Sequence, residues 1–142
     1  MLRSRALLQQ DVVNGRRESK PNVTRSVTED VDAVIKLNSE AEAAIHDGNM
    51  SQALQKYTTI VKEHSDLALA ERARIKRALM LYETGAVEQA LLELEDEEVA
   101  LRGNAEVHAA LAALLYAEKP SERQRAEQQW EVCSEFDNRS AF

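Results

Sequence analysis

Residues 41–61, AEAAIHDGNMSQALQKYTTIV, decide the fold. Ala41 to His46 reads as the end of a helix, its apolar residues recurring at helical spacing. Asp47-Gly48-Asn49 is a turn. Gly48 stops the first helix, and Asn49 caps the next with Gln52 at the box position three residues on. In the second helix Ala53, Leu54, Tyr57, Ile60 and Val61 form one apolar stripe. The spacing predicts a helical hairpin.

Upstream, the first helix starts near Ser26 or Thr28, since Ser26 and Glu29 have capping-box spacing. Val31, Val34, Ile35, Asn38, Ala41 and Ile45 then recur along one face. Downstream of His64-Ser65-Asp66, a third helix runs from about Leu67 to Thr84, striped by Ala70, Ala73, Ala78, Leu81 and Tyr82, and Gly85 breaks it. A fourth begins at Ala86-Val87-Glu88-Gln89, carries Ala90, Leu91 and Leu94, and is expected to dissolve into the acidic run Glu95-Asp96-Glu97-Glu98. After Arg102-Gly103-Asn104 a fifth, nearly pure Ala and Leu, spans Ala105 to Ala117 and reads as the most buried. Lys119-Pro120-Ser121 turns the chain into a sixth, Glu122 to about Phe136, carrying Ala126, Trp130, Cys133 and Phe136.

Composition agrees with an all-α chain. Ala, Leu, Glu and Gln, which lose little side-chain freedom in helices, dominate the 142 residues, while Gly and Pro sit where the pattern breaks. The length holds one domain with a modest core. The net charge of −7 hides an asymmetry. Residues 1–27 carry six basic against two acidic residues, +4; the remainder carries twelve against twenty-three, −11. An acidic body argues against nucleic acid, which needs a basic face. No apolar run approaches the roughly 18 residues that span a bilayer. Residues 1–27, with a short amphipathic piece at MLRSRALL, read as a disordered basic tail or a targeting remnant, though Asp11 and Glu18 count against targeting. Arg16-Arg17-Glu18-Ser19 has the shape of a basophilic kinase site. The repeat domain is expected over 28–137, with a short tail at 138–142.

Three hairpins of similar length repeat. In the second helices Ala53-x3-Tyr57 recurs as Ala90-x3-Leu94 and Ala126-x3-Trp130, at offsets of 37 (90 − 53) and 36 (126 − 90). In the first helices the expected counterparts are Ala41 with Ala44, Ala78 with Leu81, and Ala113 with Tyr116. A small residue on each helix lets backbones approach, and the large residue fills the hollow against the next pair. These residues resemble the tetratricopeptide repeat, a helix–turn–helix unit of about 34 residues with an A-x3-F signature. The resemblance covers roughly residues 31–137 and is best in the first unit, through Gly48, Ala53 and Tyr57. It implies a right-handed array, an α-solenoid, of about three antiparallel helix pairs. The sequence departs from the family pattern: Ser65, Arg102 and Asn138 stand where Pro often ends a unit, each unit is two or three residues longer, and the leading Trp is absent. A generic array of helical hairpins stays open. The ending Arg125-Ala126-Glu127-Gln128-Gln129-Trp130, with Phe136 to Arg139, is similar to tetratricopeptide proteins of plant and algal chloroplasts. That similarity implies a plastid location, with the cytoplasm as the alternative. Because those proteins continue past the equivalent of Phe142, it also implies a truncated product of a longer chain.

Little points to catalysis. His46, His64 and His108 fall in different units with no metal spacing and read as surface histidines at helix ends. Cys133, one turn after Trp130, reads as core filler. Asn22, Asn49 and Asn138 begin glycosylation sequons, with Asn49 better explained as a cap. No enzyme, cofactor or metal is expected. The resemblance implies a groove lined by the first helix of each pair, receiving a protein or peptide partner. The repeat spacing assigns to it Ile35, Asn38, Glu42, Ile45 and His46, then Arg72, Ile75, Lys76, Leu79 and Tyr82, then Val107, Ala110, Leu111 and Leu114. Glu42 stands where a carboxylate-clamping family member needs Asn and would repel a C-terminal carboxylate. Arg72, Arg74, Lys76 and Arg77 either meet an acidic partner segment or pair with Glu71, Glu83 and the acidic run 93–98. The alternatives to a binding adaptor are self-association as a homodimer, through Trp130, Cys133 and Phe136 on an uncapped last helix, and a fragment without independent function.

Overall fold

Gly48 and Gly85 carry the backbone into the left-handed region, with φ of 78° and 94°. The Gly48 N–H donates to Ile45 O at 3.0 Å and the Asn49 N–H to Ala44 O at 2.8 Å; Gly85 to Tyr82 O and Ala86 to Leu81 O repeat the pair at 3.0 and 2.8 Å. These bonds satisfy carbonyls orphaned at a helix C-terminus, and a side chain at such a φ would be strained. Asn49 Oδ1 then accepts from the Gln52 N–H at 3.1 Å, the cap expected from the sequence. The two turns lie 37 residues apart (85 − 48), the repeat offset itself.

The computed structural model describes residues 26–140, with side chains through Glu135. Expectations for residues 1–25, among them the kinase-like site and the Asn22 sequon, lie outside the described residues, as do residues 141–142 and the Phe136 side chain. The chain divides into two compact units, residues 1–33 and 34–142. Of the first, the described part begins a helix, where the Glu29 N–H donates to Ser26 Oγ at 3.2 Å.

The described residues form six α-helices and no strand: α1 Val27–His46, α2 Met50–Glu63, α3 Leu69–Glu83, α4 Val87–Ala100, α5 Ala105–Glu118 and α6 Arg123–Ser140, the last preceded by a 3-10 turn at Pro120–Glu122. None of these helices is long and apolar enough to cross a membrane. Within residues 34–142 each helix packs on the next in sequence, and α3 also touches α5. Two core clusters follow. In one, Ala41 and Ala44 of α1 and Ala53, Tyr57 and Ile60 of α2 close against Ala70, Ala73 and Met80 of α3. In the other, Ala78 and Leu81 of α3 and Ala90, Leu91 and Leu94 of α4 close against Val107, Ala110 and Leu111 of α5. The hollow of each of the first two hairpins is thus filled by the first helix of the next pair.

Three expectations need correction. The acidic run does not end α4, which continues to Ala100. Its carboxylates are compensated from both neighbours: Arg77 lies 3.2 Å from Glu93, Arg74 4.0 Å from Glu97 and Arg125 3.2 Å from Glu95. Burial still pushes the Glu97 carboxyl above its ordinary range, with Arg74 opposing. His64 and His108 are not surface histidines; both are buried. His108 Nδ1 lies 2.7 Å from Gln129 Oε1 and Nε2 3.1 Å from Arg102 O, so the ring ties the α4–α5 loop to α6.

The third correction concerns the repeat offset in α5. Ala113 and Tyr116 are exposed and are not the counterparts of Ala78 and Leu81. Thirty-seven residues beyond Ala70, Ala73, Ile75 and Ala78 (70 + 37 = 107, and so on) stand Val107, Ala110, Ala112 and Leu115, all buried. An almost pure Ala and Leu helix offers an alanine at nearly every phase, so alanine alone could not fix its alignment. Trp130, assigned to an uncapped last helix, keeps the position of Tyr57 and Leu94 but is 59% exposed where they are at 0%. Among the described residues no helix follows α6 to cover it.

Leu94 and Trp130 therefore predict opposite costs at one repeat position. Leu94→Ala should lose about 3 kcal/mol through the cavity it leaves, and Trp130→Ala less than about 1 kcal/mol. Urea unfolding followed by circular dichroism measures both; equal losses would show that Trp130 is packed as Leu94 is.

Candidate functional site

The face assigned to a partner groove divides in two. Ile35, Asn38 and Glu42 on α1 and Arg72 and Lys76 on α3 do come together, around a cleft of about 190 Å³ floored by Val34, Ile60 and Ala73. Helical spacing explains it, since residues three and four apart project from one face. The remaining assigned residues serve packing. Ile75, Val107, Ala110, Leu111 and Leu114 are buried. Ile45 packs against the first cluster and Leu79 against both. Tyr82, half-buried, donates its hydroxyl hydrogen to Glu118 Oε1 at 2.7 Å, and His46 is exposed.

The charges in the α1/α3 cleft are already matched. Lys76 Nζ donates to Glu42 Oε1 at 2.8 Å and Asn38 Nδ2 to the same oxygen at 3.4 Å, while Arg72 pairs with Glu106 at 3.2 Å. The hydrogen bond and charge of Lys76 hold the Glu42 carboxyl below its ordinary range. On Lys76, burial disfavours the charged form, but Glu42 outweighs it and the ammonium's affinity for its proton ends up raised. Lys76 Nζ also lies 5.8 Å from the centre of the Tyr57 ring, within cation–π range. Of the four basic residues of α3, Arg74 and Arg77 pair into the acidic run, and Arg72 and Lys76 pair with the neighbouring first helices. The side-chain pairs are partly exposed and individually weak.

A second surface escaped the sequence reading. Between α5 and α6 lies a groove of about 570 Å³ with Ala109, Ala112 and Ala126 in its lining and the rings of Tyr116 and Trp130 beside them. Both rings are 59% exposed. Glu127 and Glu131 on α6 complete the lining, and the Arg123 guanidinium sits 5.6 Å from the centre of the Tyr116 ring. Trp130 and Cys133 were assigned to self-association; Trp130 does border this groove, whereas Cys133 is half-buried and does not line it. A signal for the groove was present in the sequence. At the offset of 37, the α3 residues Arg72, Ile75 and Leu79 become Ala109, Ala112 and Tyr116, but the misplaced α5 alignment pointed to buried residues instead.

Among the described residues no cluster of three or more His, Cys, Asp or Glu is placed to hold a metal ion. The Glu42–Lys76 pair has a direct check. Because the folded carboxyl titrates below its ordinary value, the pair's stabilisation is present above the unfolded-state value and fades as pH falls through the folded one. In Lys76→Met the Glu42 midpoint should move up toward 4.5, read by carboxyl-carbon NMR; an unmoved midpoint would show that Lys76 does not set it. No protein-family model matches the chain, and no curated protein matches it either.

Proposed function

We propose that the chain is a non-enzymatic protein-interaction scaffold, a right-handed tetratricopeptide-like array of three helix pairs that offers the open face of its third pair to a protein partner. One observation carries this reading. At matched positions Tyr57 and Leu94 are fully buried, while Trp130 is exposed beside an equally exposed Tyr116. Trp and Tyr bordering an apolar floor are the residues in which binding energy concentrates at interfaces. Single exposed apolar side chains are ordinary on any protein; two large rings on one groove are not.

The α1/α3 cleft supports partner binding less well. Its cations are paired with Glu42 and Glu106, so an acidic ligand would have to displace existing contacts, and Glu42 repels it. A second copy of the chain on the α6 face is the other reading, favoured by the same exposed Trp130.

Affinity purification of the tagged chain from its native source tests the proposal. Tyr116→Ser/Trp130→Ser should lose a partner that the unaltered chain recovers and that Arg72→Glu/Lys76→Glu retains. Identical recovery with the ring variant removes the reading. Concentration-dependent sedimentation that the ring variant abolishes replaces it with self-association.

A further inference from the structure

The two filled hairpin hollows show what the third is shaped to take. In the first, α3 lies against α1 and α2 with Ala70 and Ala73 in the core, and two of its basic residues touch the seat. Lys76 Nζ stands over the Tyr57 ring at 5.8 Å, and Arg77 Nε donates to Thr58 Oγ1 at 3.2 Å. In the second hollow the occupant is apolar: α5 places Ala113 and Leu114 at the positions of Lys76 and Arg77 (offset 37), and Leu91 and Leu94 receive it.

Carrying the α2 positions forward by 73 residues (37 + 36) reaches α6. Tyr57 becomes Trp130, Thr58 becomes Glu131, and Leu54 becomes Glu127. At the ring position the third seat resembles the first, with Trp130 for Tyr57 where the second has Leu94; at the Thr58 position Glu131 matches Glu95 of the second, whose carboxylate pairs with Arg125. An indole is a better cation–π face than a phenol, and a carboxylate attracts a guanidinium more strongly than a hydroxyl does. On the α5 side the ring of Tyr116 already holds the Arg123 guanidinium at 5.6 Å. The alanines at 109, 112 and 126 leave room for a helix to approach closely.

We propose that the α5/α6 groove takes a basic amphipathic helix of a partner protein, seated as α3 is seated on α1 and α2. Small residues three apart lie on the alanine floor. A lysine stands over Trp130, and an arginine one residue later meets Glu131. This rests on the reading of the open face as a docking surface and adds the chemistry of what docks there.

The probe is a helix-stabilised synthetic peptide with the α3 sequence, Leu69–Glu83, added to the full chain. Trp130 is the sole tryptophan, so its emission reports on the groove alone. The peptide should shift that emission to the blue, and raising the salt should weaken binding. A peptide carrying Lys76→Glu and Arg77→Glu should bind at least about tenfold more weakly, and Glu131→Lys in the protein should restore its binding. No shift at several hundred micromolar, or equal binding of both peptides, overturns the proposal. So does an emission already blue-shifted with concentration in the absence of peptide, because the face would then be covered by a second copy. If the ring variant loses its cellular partner while the peptide fails to bind, the docking reading stands and the basic helix falls.

Discussion

A helical hairpin cannot bury both sides of its own hollow, and the structure of residues 34–142 follows from how that hollow is filled. The apolar side chains facing out between two helices need a third helix, and the nearest available is the first of the next pair. Alanine makes the contact close enough to count: Ala41, Ala53, Ala70, Ala78 and Ala90 are all fully buried, each at a helix crossing. Bringing backbones together there lets Tyr57, Leu94 and Leu111 fill the space left between. At about 25 cal/mol per Å² of apolar surface, a covered aromatic or leucine is worth roughly 1.5–3 kcal/mol. Leaving the last hollow open forgoes that for two rings.

Electrostatics is arranged around the same stacking. The first helices of successive pairs are cross-linked by ion pairs 34 residues apart in sequence, Glu42 with Lys76 and Arg72 with Glu106. Exposed pairs of this kind contribute little individually. With the pairs of Arg74 and Arg77 they give every cation of α3 a carboxylate partner. The acidic run of α4 is treated likewise, its carboxylates drawn toward Arg74 and Arg77 on one side and Arg125 on the other. A run that would repel itself in an isolated helix becomes an adhesive strip between two cationic neighbours, which is why the helix continues through it.

Much of this was legible in the sequence, for physical reasons that also explain the misses. Gly48 and Gly85 announce their turns because only glycine takes that backbone without strain. Asn49 announces its cap because its side chain reaches the Gln52 N–H. Local chemistry of that sort needs no tertiary knowledge. The pairing of Arg74 and Arg77 with the acidic run stood in the sequence as one of two alternatives, but its consequence, that α4 continues to Ala100, needed Arg125 from α6 as well. His108 was hidden because its partners, Gln129 and the Arg102 carbonyl, are separated from it by 21 and 6 residues. The α5 alignment failed where the composition is nearly uniform, and with it went the α5 side of the groove: Tyr116 was paired with Leu81 instead of Leu79, so only Trp130 on α6 was placed on an open face.

The substitutions at the third hollow are of two opposing kinds, and that opposition is the strongest clue to its role. A face left to water favours polar residues. Glu127 in place of Leu54 and Leu91 does this, while Glu131 repeats the acid that the second unit carries as Glu95. Had solvation been the sole requirement, the ring position would have followed, since a tryptophan left more than half exposed has no packing to justify it. Instead the largest side chain of the three stands at that position, next to Tyr116, over a floor kept small by alanine. Acidic edges beside an aromatic, shallow centre keep the isolated face compatible with water while leaving the apolar contact available. That combination is what the proposed docking of a basic partner helix would use.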